Sequence, residues 1–198
     1  SKAYLTTLSR ASKVATMVEV DATTGAVKRL AVDSGKTFVE LGNPVDPTPN
    51  YVTEDGETLW WSERDGWGHL YRYGPDGTLR NRVTEGPWQV GTIVHVDERG
   101  RRLWFTARGR EPGAFVYYAR LYAVNFDGSG LSLLTPEDAD HAIQVSPNGR
   151  WAIDTWSRVE TPPVTVLREL ATGRVVRPLE TADVSQLTAA GFRGARTF

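Results

Sequence analysis

A short turn between apolar runs returns along this chain at nearly constant spacing. Leu70-Tyr71-Arg72-Tyr73 leads through Asp76-Gly77 to Val83-Thr84, and Leu121-Tyr122-Ala123-Val124 leads through Asp127-Gly128 to Leu134-Thr135. Gly77 to Gly128 is 51 residues (128 − 77), as is Thr84 to Thr135 (135 − 84). Asp-Gly between extended runs marks a hairpin, because glycine takes a positive φ with no Cβ clash. Fainter copies flank these two: Val18-Glu19-Val20 precedes Thr24-Gly25, and Val166 to Leu170 precedes Thr172-Gly173, at 52 and 45 residues in the same series (77 − 25; 173 − 128). A second turn opens a unit at Asp55-Gly56 before Leu59-Trp60-Trp61-Ser62, at Arg99-Gly100 before Leu103-Trp104-Phe105-Thr106, and at Asn148-Gly149 before Trp151-Ala152-Ile153-Asp154. Two hairpins per period make four strands. Four-stranded units repeating every 40 to 50 residues or so are the signature of β-propeller blades, stacked face to face around an axis.

The rest of the pattern agrees with an all-β chain. No helix-length window repeats apolar residues at i, i+3, i+4 and i+7, whereas Trp88, Val90, Thr92, Val94 and Val96 alternate with period 2. The expected architecture is a partial β-propeller of about four blades of four antiparallel strands, with blades near 1–34, 35–86, 87–136 and 137–180. The first blade begins near Tyr4 without its innermost strand, and 181–198 reads as a linker. A sandwich of about fourteen short strands is the competing fold, disfavoured by the regular spacing.

Charge and composition narrow the function. With 23 Lys plus Arg against 24 Asp plus Glu, the formal charge of −1 gives no pull toward phosphate backbones or anionic lipid, so nucleic acid and membrane are not expected partners. Zero Cys removes thiol nucleophiles, thiolate metal sites and disulfides. The opening Ser1-Lys2-Ala3-Tyr4-Leu5 lacks a charged segment followed by an apolar h-region, so no secretory signal is expected, and the compartment stays open between periplasm and cytoplasm.

A hydrolytic triad needs a nucleophile, a base in reach and a group to orient the base. His69, His95 and His141 are the candidate bases, 26 and 46 residues apart (95 − 69; 141 − 95), and each reads as a packing or surface residue. His141 stands out because Asp138 and Asp140 precede it, and a carboxylate raises an imidazole's affinity for its proton. No His-x-His or His-x-x-x-His pair offers close metal-ligand spacing, and Asp21, Asp127, Asp138 and Asp140 follow no EF-hand pattern, so turn capping explains most of them and no metal or cofactor is expected. Glu63-Arg64-Asp65 reads as a charged loop with Arg64 paired locally. Trp60, Trp61, Trp67, Trp88, Trp104, Trp151 and Trp156 read mostly as core between blades.

Two groups of residues carry a resemblance. Trp61-Ser62-Glu63-Arg64-Asp65-Gly66-Trp67-Gly68-His69-Leu70-Tyr71 resembles a block in the propeller of bacterial dipeptidyl peptidase IV-like enzymes, of the prolyl oligopeptidase clan. Thr84-Glu85-Gly86-Pro87-Trp88-Gln89-Val90, Phe105-Thr106-Ala107, Arg120-Leu121-Tyr122, Ser146-Pro147-Asn148-Gly149, Asp154-Thr155-Trp156-Ser157 and Thr161-Pro162-Pro163 are similar to that family in the same order. The resemblance implies the last half of an eight-bladed propeller, in a bacterial parent whose α/β-hydrolase domain removes X-Pro dipeptides from peptide N-termini. Residues 181–198 would then lead toward that domain.

The resemblance brings no catalytic residue with it. No Asp-Trp followed by adjacent glutamates matches the family's amine-binding motif, and the nearest approach to a Gly-x-Ser-x-Gly elbow is Gly128-Ser129-Gly130 in a hairpin turn. The expected function is therefore a non-catalytic propeller portion that gates and shapes substrate access. Its partners would be the other propeller half, the hydrolase domain and the parent's peptide substrate. A stand-alone module binding protein or glycan through loops such as 42–52 and 107–119 is the alternative, and an independent hydrolase is the least favoured. A half propeller also bares two sheet faces shaped for burial, so self-association is expected.

Overall fold

The computed structural model describes residues 1–42 and 48–193. Fifteen strands form four antiparallel sheets. The first holds β1 (Lys2–Leu8), β2 (Val14–Asp21) and β3 (Val27–Ser34) in sequence order. The second holds β4 (Tyr51–Val52), β5 (Thr58–Ser62), β6 (His69–Tyr73) and β7 (Leu79–Arg82). The third holds β8 (Gln89–Asp97), β9 (Arg102–Arg108), β10 (Arg120–Asn125) and β11 (Ser132–Leu133). The fourth holds β12 (Asp140–Val145), β13 (Trp151–Arg158), β14 (Thr161–Glu169) and β15 (Val175–Thr181), after which comes a short helix, α1 (Ser185–Ala189). Every sheet is a meander, as an array of hairpins requires.

Three apolar clusters fix how the sheets stack. Ala15, Met17 and Leu30 of the first sheet meet Trp60, Tyr71 and Tyr73 of the second. Leu59, Trp61 and Leu70, on the second sheet's other face, meet Leu103, Phe105, Tyr122 and Val124 of the third, with Trp88 between them. Trp104, Leu121 and Ala123 then meet Ala152 and Leu170 of the fourth. Adjacent residues such as Trp60 and Trp61, or Trp104 and Phe105, serve opposite junctions, since successive side chains of a strand leave opposite faces. The architecture is a partial propeller, four sheets in sequence order, and among the described residues no apolar cluster closes the fourth back on the first.

The repeated threonines hold the units to one geometry. Thr84 Oγ1 accepts the Leu70 amide at 3.1 Å, and Thr135 Oγ1 accepts the Leu121 amide at 2.8 Å, both hydroxyls being buried. Each hydroxyl thus ties the end of one strand to the start of its neighbour, in register with the 51-residue period.

Candidate functional site

A meander alternates strand direction, so its turns fall into two groups at opposite ends. One end carries tight turns such as Thr53–Glu57, Gly74–Thr78 and Ser146–Arg150. The other carries the connections between sheets, the segments 63–68 and 109–119, the β13–β14 hairpin tip, and the chain leaving β15. Sites built on loops above a rigid scaffold are the common arrangement, so this second end is the candidate functional face.

Two of the cavities that open there are large enough to consider. One, of about 740 Å³, lies between the hairpin tip Ser157–Pro163 and Val184, Thr188 and Phe192 of the outgoing segment. The other, of about 400 Å³, lies between residues 33–40 and Glu63-Arg64. Phe115 and Tyr117 of the 109–119 segment stand exposed, and Tyr118 stacks under the guanidinium of Arg158, which lines the 740 Å³ cavity. At the 400 Å³ cavity, Arg64 donates to Ser62 Oγ at 2.9 Å and to the Tyr73 hydroxyl at 2.9 Å, and pairs with Asp33 at 3.4 Å. Asp33 belongs to the preceding sheet, so Arg64 joins two sheets and is not merely paired within its loop. Partial burial, with the nearby Glu40 charge adding to it, holds the Glu63 carboxyl above its ordinary range.

The three histidines occupy three separate places. His69 is buried, with Nε2 facing the Gly86 carbonyl at 2.9 Å and Nδ1 facing Thr84 Oγ1 at 3.0 Å. The carbonyl only accepts, so Nε2 carries the proton and Nδ1 accepts from the threonine hydroxyl. That is the hydrogen bond of a base to a nucleophile, but Thr84 is 2% exposed and His69 1%, which leaves no approach for a substrate. Burial lowers the His69 pKa and keeps the ring neutral. His95 is half-buried against Trp104, at 5.4 Å between ring centroids, and its edge closes on Gly149. Ser129, in the hairpin turn, donates to Asp127 at 2.7 Å and has no imidazole beside it.

His141 has a carboxylate partner, but neither of the two that precede it in sequence. Its Nδ1 meets Asp154 Oδ1 at 2.9 Å and its Nε2 the Glu137 carbonyl at 3.1 Å. Asp140 instead accepts the Ala119 amide at 2.7 Å, and Asp138 pairs with Arg120 and Arg158. Asp21 and Asp127 do cap their turns, through Thr23, Thr24 and Ser129. Asp154 sits on β13, one strand over, and the sequence signal for it was the pairing of β12 with β13 rather than proximity along the chain.

Glu137, His141 and Asp154 bring ligand atoms within 4.8 Å of one another, the spacing of a metal site. Arg168 already supplies the cation: it donates through Nε to Asp154 at 2.7 Å, pairs with Glu137 at 2.6 Å, and donates to the Gly173 carbonyl at 2.8 Å. Burial opposes its charge, yet the two carboxylates outweigh burial and raise its pKa above the ordinary arginine value. The cluster is an ion network joining the fourth sheet to the segment before it. Sequence reading passed over Arg168 because one arginine in a strand carries no pattern.

The tryptophans divide. Trp60, Trp61, Trp88 and Trp104 are buried between sheets, and Trp151 and Trp156 are half-buried on β13. Trp67 departs from the expected core role: it is 46% exposed at the tip of the 63–68 segment on the loop-bearing end.

Comparison with known proteins accounts for this framework. The family profile described as "Dipeptidyl peptidase IV (DPP IV) N-terminal region" matches residues 1–163. Dipeptidyl peptidase 4 of Arthroderma otae is 39% identical over 103 residues, 51% of this chain and 13% of that protein. Dipeptidyl peptidase 4 of Trichophyton equinum is 26% identical over 103 residues, with the same 51% and 13% shares. In structure, Porphyromonas gingivalis dipeptidyl peptidase 4 superposes with a TM-score of 0.79 at 23% identity, covering 96% of this chain and 25% of that one. The chain therefore spans a small part of its relatives' length. The stacked sheets, the regular turns and the profile match over residues 1–163 together place this chain in the family of the dipeptidyl peptidase IV N-terminal region.

Proposed function

We propose that this chain is the non-catalytic propeller portion of a longer serine exopeptidase that removes X-Pro dipeptides from peptide N-termini. Its role there is to gate and shape the approach of substrate to a hydrolase domain that this segment does not contain. The parent's other propeller half and its hydrolase domain are the partners. The proposed units are 1–34, 35–86, 87–136 and 137–180, with 181–198 leading toward the hydrolase domain; residues 43–47 and 194–198 of these spans lie outside the described residues.

The observation that carries this reading is the match to the family's N-terminal region over residues 1–163, joined to a fold that gathers its longer connections and its outgoing segment at one end. The histidines support the non-catalytic part. His69 and His141 are sealed in packing, and His95 lies at the opposite end beside the Pro147–Gly149 turn.

The test uses an X-Pro chromogenic substrate. The 198-residue chain alone is expected to give no turnover, and the assembled parent to cleave it. Deleting 110–117 in the parent is expected to change KM for long peptides more than for a dipeptide-anilide. Turnover by the isolated chain, or an equal effect on both substrates, would overturn the proposal.

A further inference from the structure

Both ring nitrogens of His141 face groups that accept and do not donate. Nδ1 lies 2.9 Å from the Asp154 carboxylate and Nε2 lies 3.1 Å from the Glu137 carbonyl. The other oxygen of that carboxylate already accepts the Arg168 Nε–H at 2.7 Å. A neutral imidazole carries one N–H, so either tautomer would aim a bare lone pair at an acceptor. Only a ring protonated on both nitrogens makes both bonds. His69 shows the contrast, because one of its partners is the Thr84 hydroxyl, which can donate, and a single ring proton suffices there.

The charges agree with the hydrogen bonds. The side chains of His141 and Asp154 are both 0% exposed, and Arg168 sets one guanidinium against two carboxylates, Asp154 and Glu137. An imidazolium balances the cluster, whereas a neutral ring leaves it one negative charge in excess, which a packed interior disfavours. Neighbouring groups do not supply that balance. β10 brings Arg120, paired with Asp138, and Tyr122, whose hydroxyl donates to Glu111 at 3.0 Å. β8 brings His95 and Asp97, which lie beside the Pro147–Gly149 turn at the opposite end. On β14 Glu169 pairs with Arg174, and on β12 itself Asp140 accepts the Ala119 amide.

We propose that His141 is a proton-operated latch on the connection between the third and fourth sheets. Charged, it ties the Glu137 carbonyl of that connection to Asp154 on β13. As pH rises and the ring gives up its second proton, one of the two bonds is lost and the buried cluster turns negative. The stabilisation is therefore present in acid and fades toward alkaline pH. Asp138, in the same connection, pairs with Arg158, and Arg158 lines the 740 Å³ cavity. Opening the latch thus loosens one wall of that cavity. The latch does not rest on the peptidase reading.

The test is nitrogen-15 NMR of the 198-residue chain labelled at its three histidines, with hydrogen exchange on the same chain. Near pH 7.5, about one unit above the ordinary imidazole value, a free ring is about 90% neutral. His141, assigned by the signal lost in His141→Gln, is expected to show two protonated ring nitrogens there, and only one in Asp154→Asn. As pH is raised from about 6 to 9, exchange of the His141 amide, which donates to the Ala119 carbonyl, is expected to accelerate at least about threefold more than that of the β5 amides, with Arg158–Thr161 following. His141→Gln is expected to lose that excess. A bare ring nitrogen on His141 near pH 7.5, exchange that keeps pace with β5 throughout, or an excess that survives in His141→Gln would overturn the proposal. A hairpin tip that stays unchanged while the His141 amide speeds up would overturn its reach to the cavity. The spectrum of the unsubstituted chain decides by itself if a variant fails to fold.

Discussion

Replacing Asp154 with alanine tests how the fourth sheet is held. Asp154 is 0% exposed and accepts from both Arg168, at 2.7 Å, and His141, at 2.9 Å. The substitution leaves Arg168, itself 2% exposed, with only the Glu137 and Gly173 contacts for its charge. Removing one partner of a buried ionic network destabilises by about 3 to 5 kcal/mol, most of it from the charge left behind. For a chain of this size each kcal/mol corresponds to about 2 to 4 °C in Tm, so thermal unfolding followed by circular dichroism is expected to shift down by about 6 to 20 °C. Asp154→Asn keeps the shape and one acceptor and should lose less. In a double-mutant cycle, Arg168→Met combined with Asp154→Ala should cost clearly less than the sum of the single changes, because the double variant strands no arginine. A shift under about 2 °C for Asp154→Ala, or strict additivity in the cycle, would refute the reasoning that the network is coupled.

Three further outcomes follow from the same contacts. Gly173→Ala strains a positive φ and also meets the Leu134 carbonyl, whereas Gly25→Ala strains only φ, so urea unfolding should show Gly173→Ala costlier by at least about 1 kcal/mol. His69 has a folded-state pKa below its ordinary 6.5, so the unfolded chain takes up the proton first. Its contribution to stability is complete above pH 6.5 and is lost as pH falls through the folded value, and His69→Gln should flatten that part of the stability profile. Burial and the Glu98 hydrogen bond push Tyr51 up to about 12, and burial with a carboxylate neighbour raises Tyr71 and Tyr122 as well. Absorbance titration should therefore leave these three tyrosines un-ionised near pH 10.5 until the chain unfolds.

The repeat was legible because its signals are local. Asp-Gly and Thr-Gly turns announce a positive φ, and the two-residue alternation that sends Trp60 and Trp61 to different junctions is written in the chain. What the sequence concealed lies across strands. Asp154 reaches His141 only through the pairing of β12 with β13, and Arg168 reaches both acids from β14. Nearness in sequence pointed to Asp138 and Asp140, which serve Arg120, Arg158 and the Ala119 amide instead. Trp67 misled for a related reason: tryptophan beside strands suggests core, yet the glycines flanking it, Gly66 and Gly68, form a projecting turn that carries it into solvent.

Spin-label distances across the tight-turn end weigh the open four-sheet arc most directly. Labels at Thr24 paired in turn with Asp76, Asp127 and Thr172, in labelled chain diluted with unlabelled chain, report the order of the sheets from the first. The stacked arc predicts that the separation grows from Asp76 to Asp127 to Thr172. A Thr24–Thr172 distance shorter than Thr24–Asp127, as a two-layer sandwich or a ring closed at four sheets would give, contradicts it.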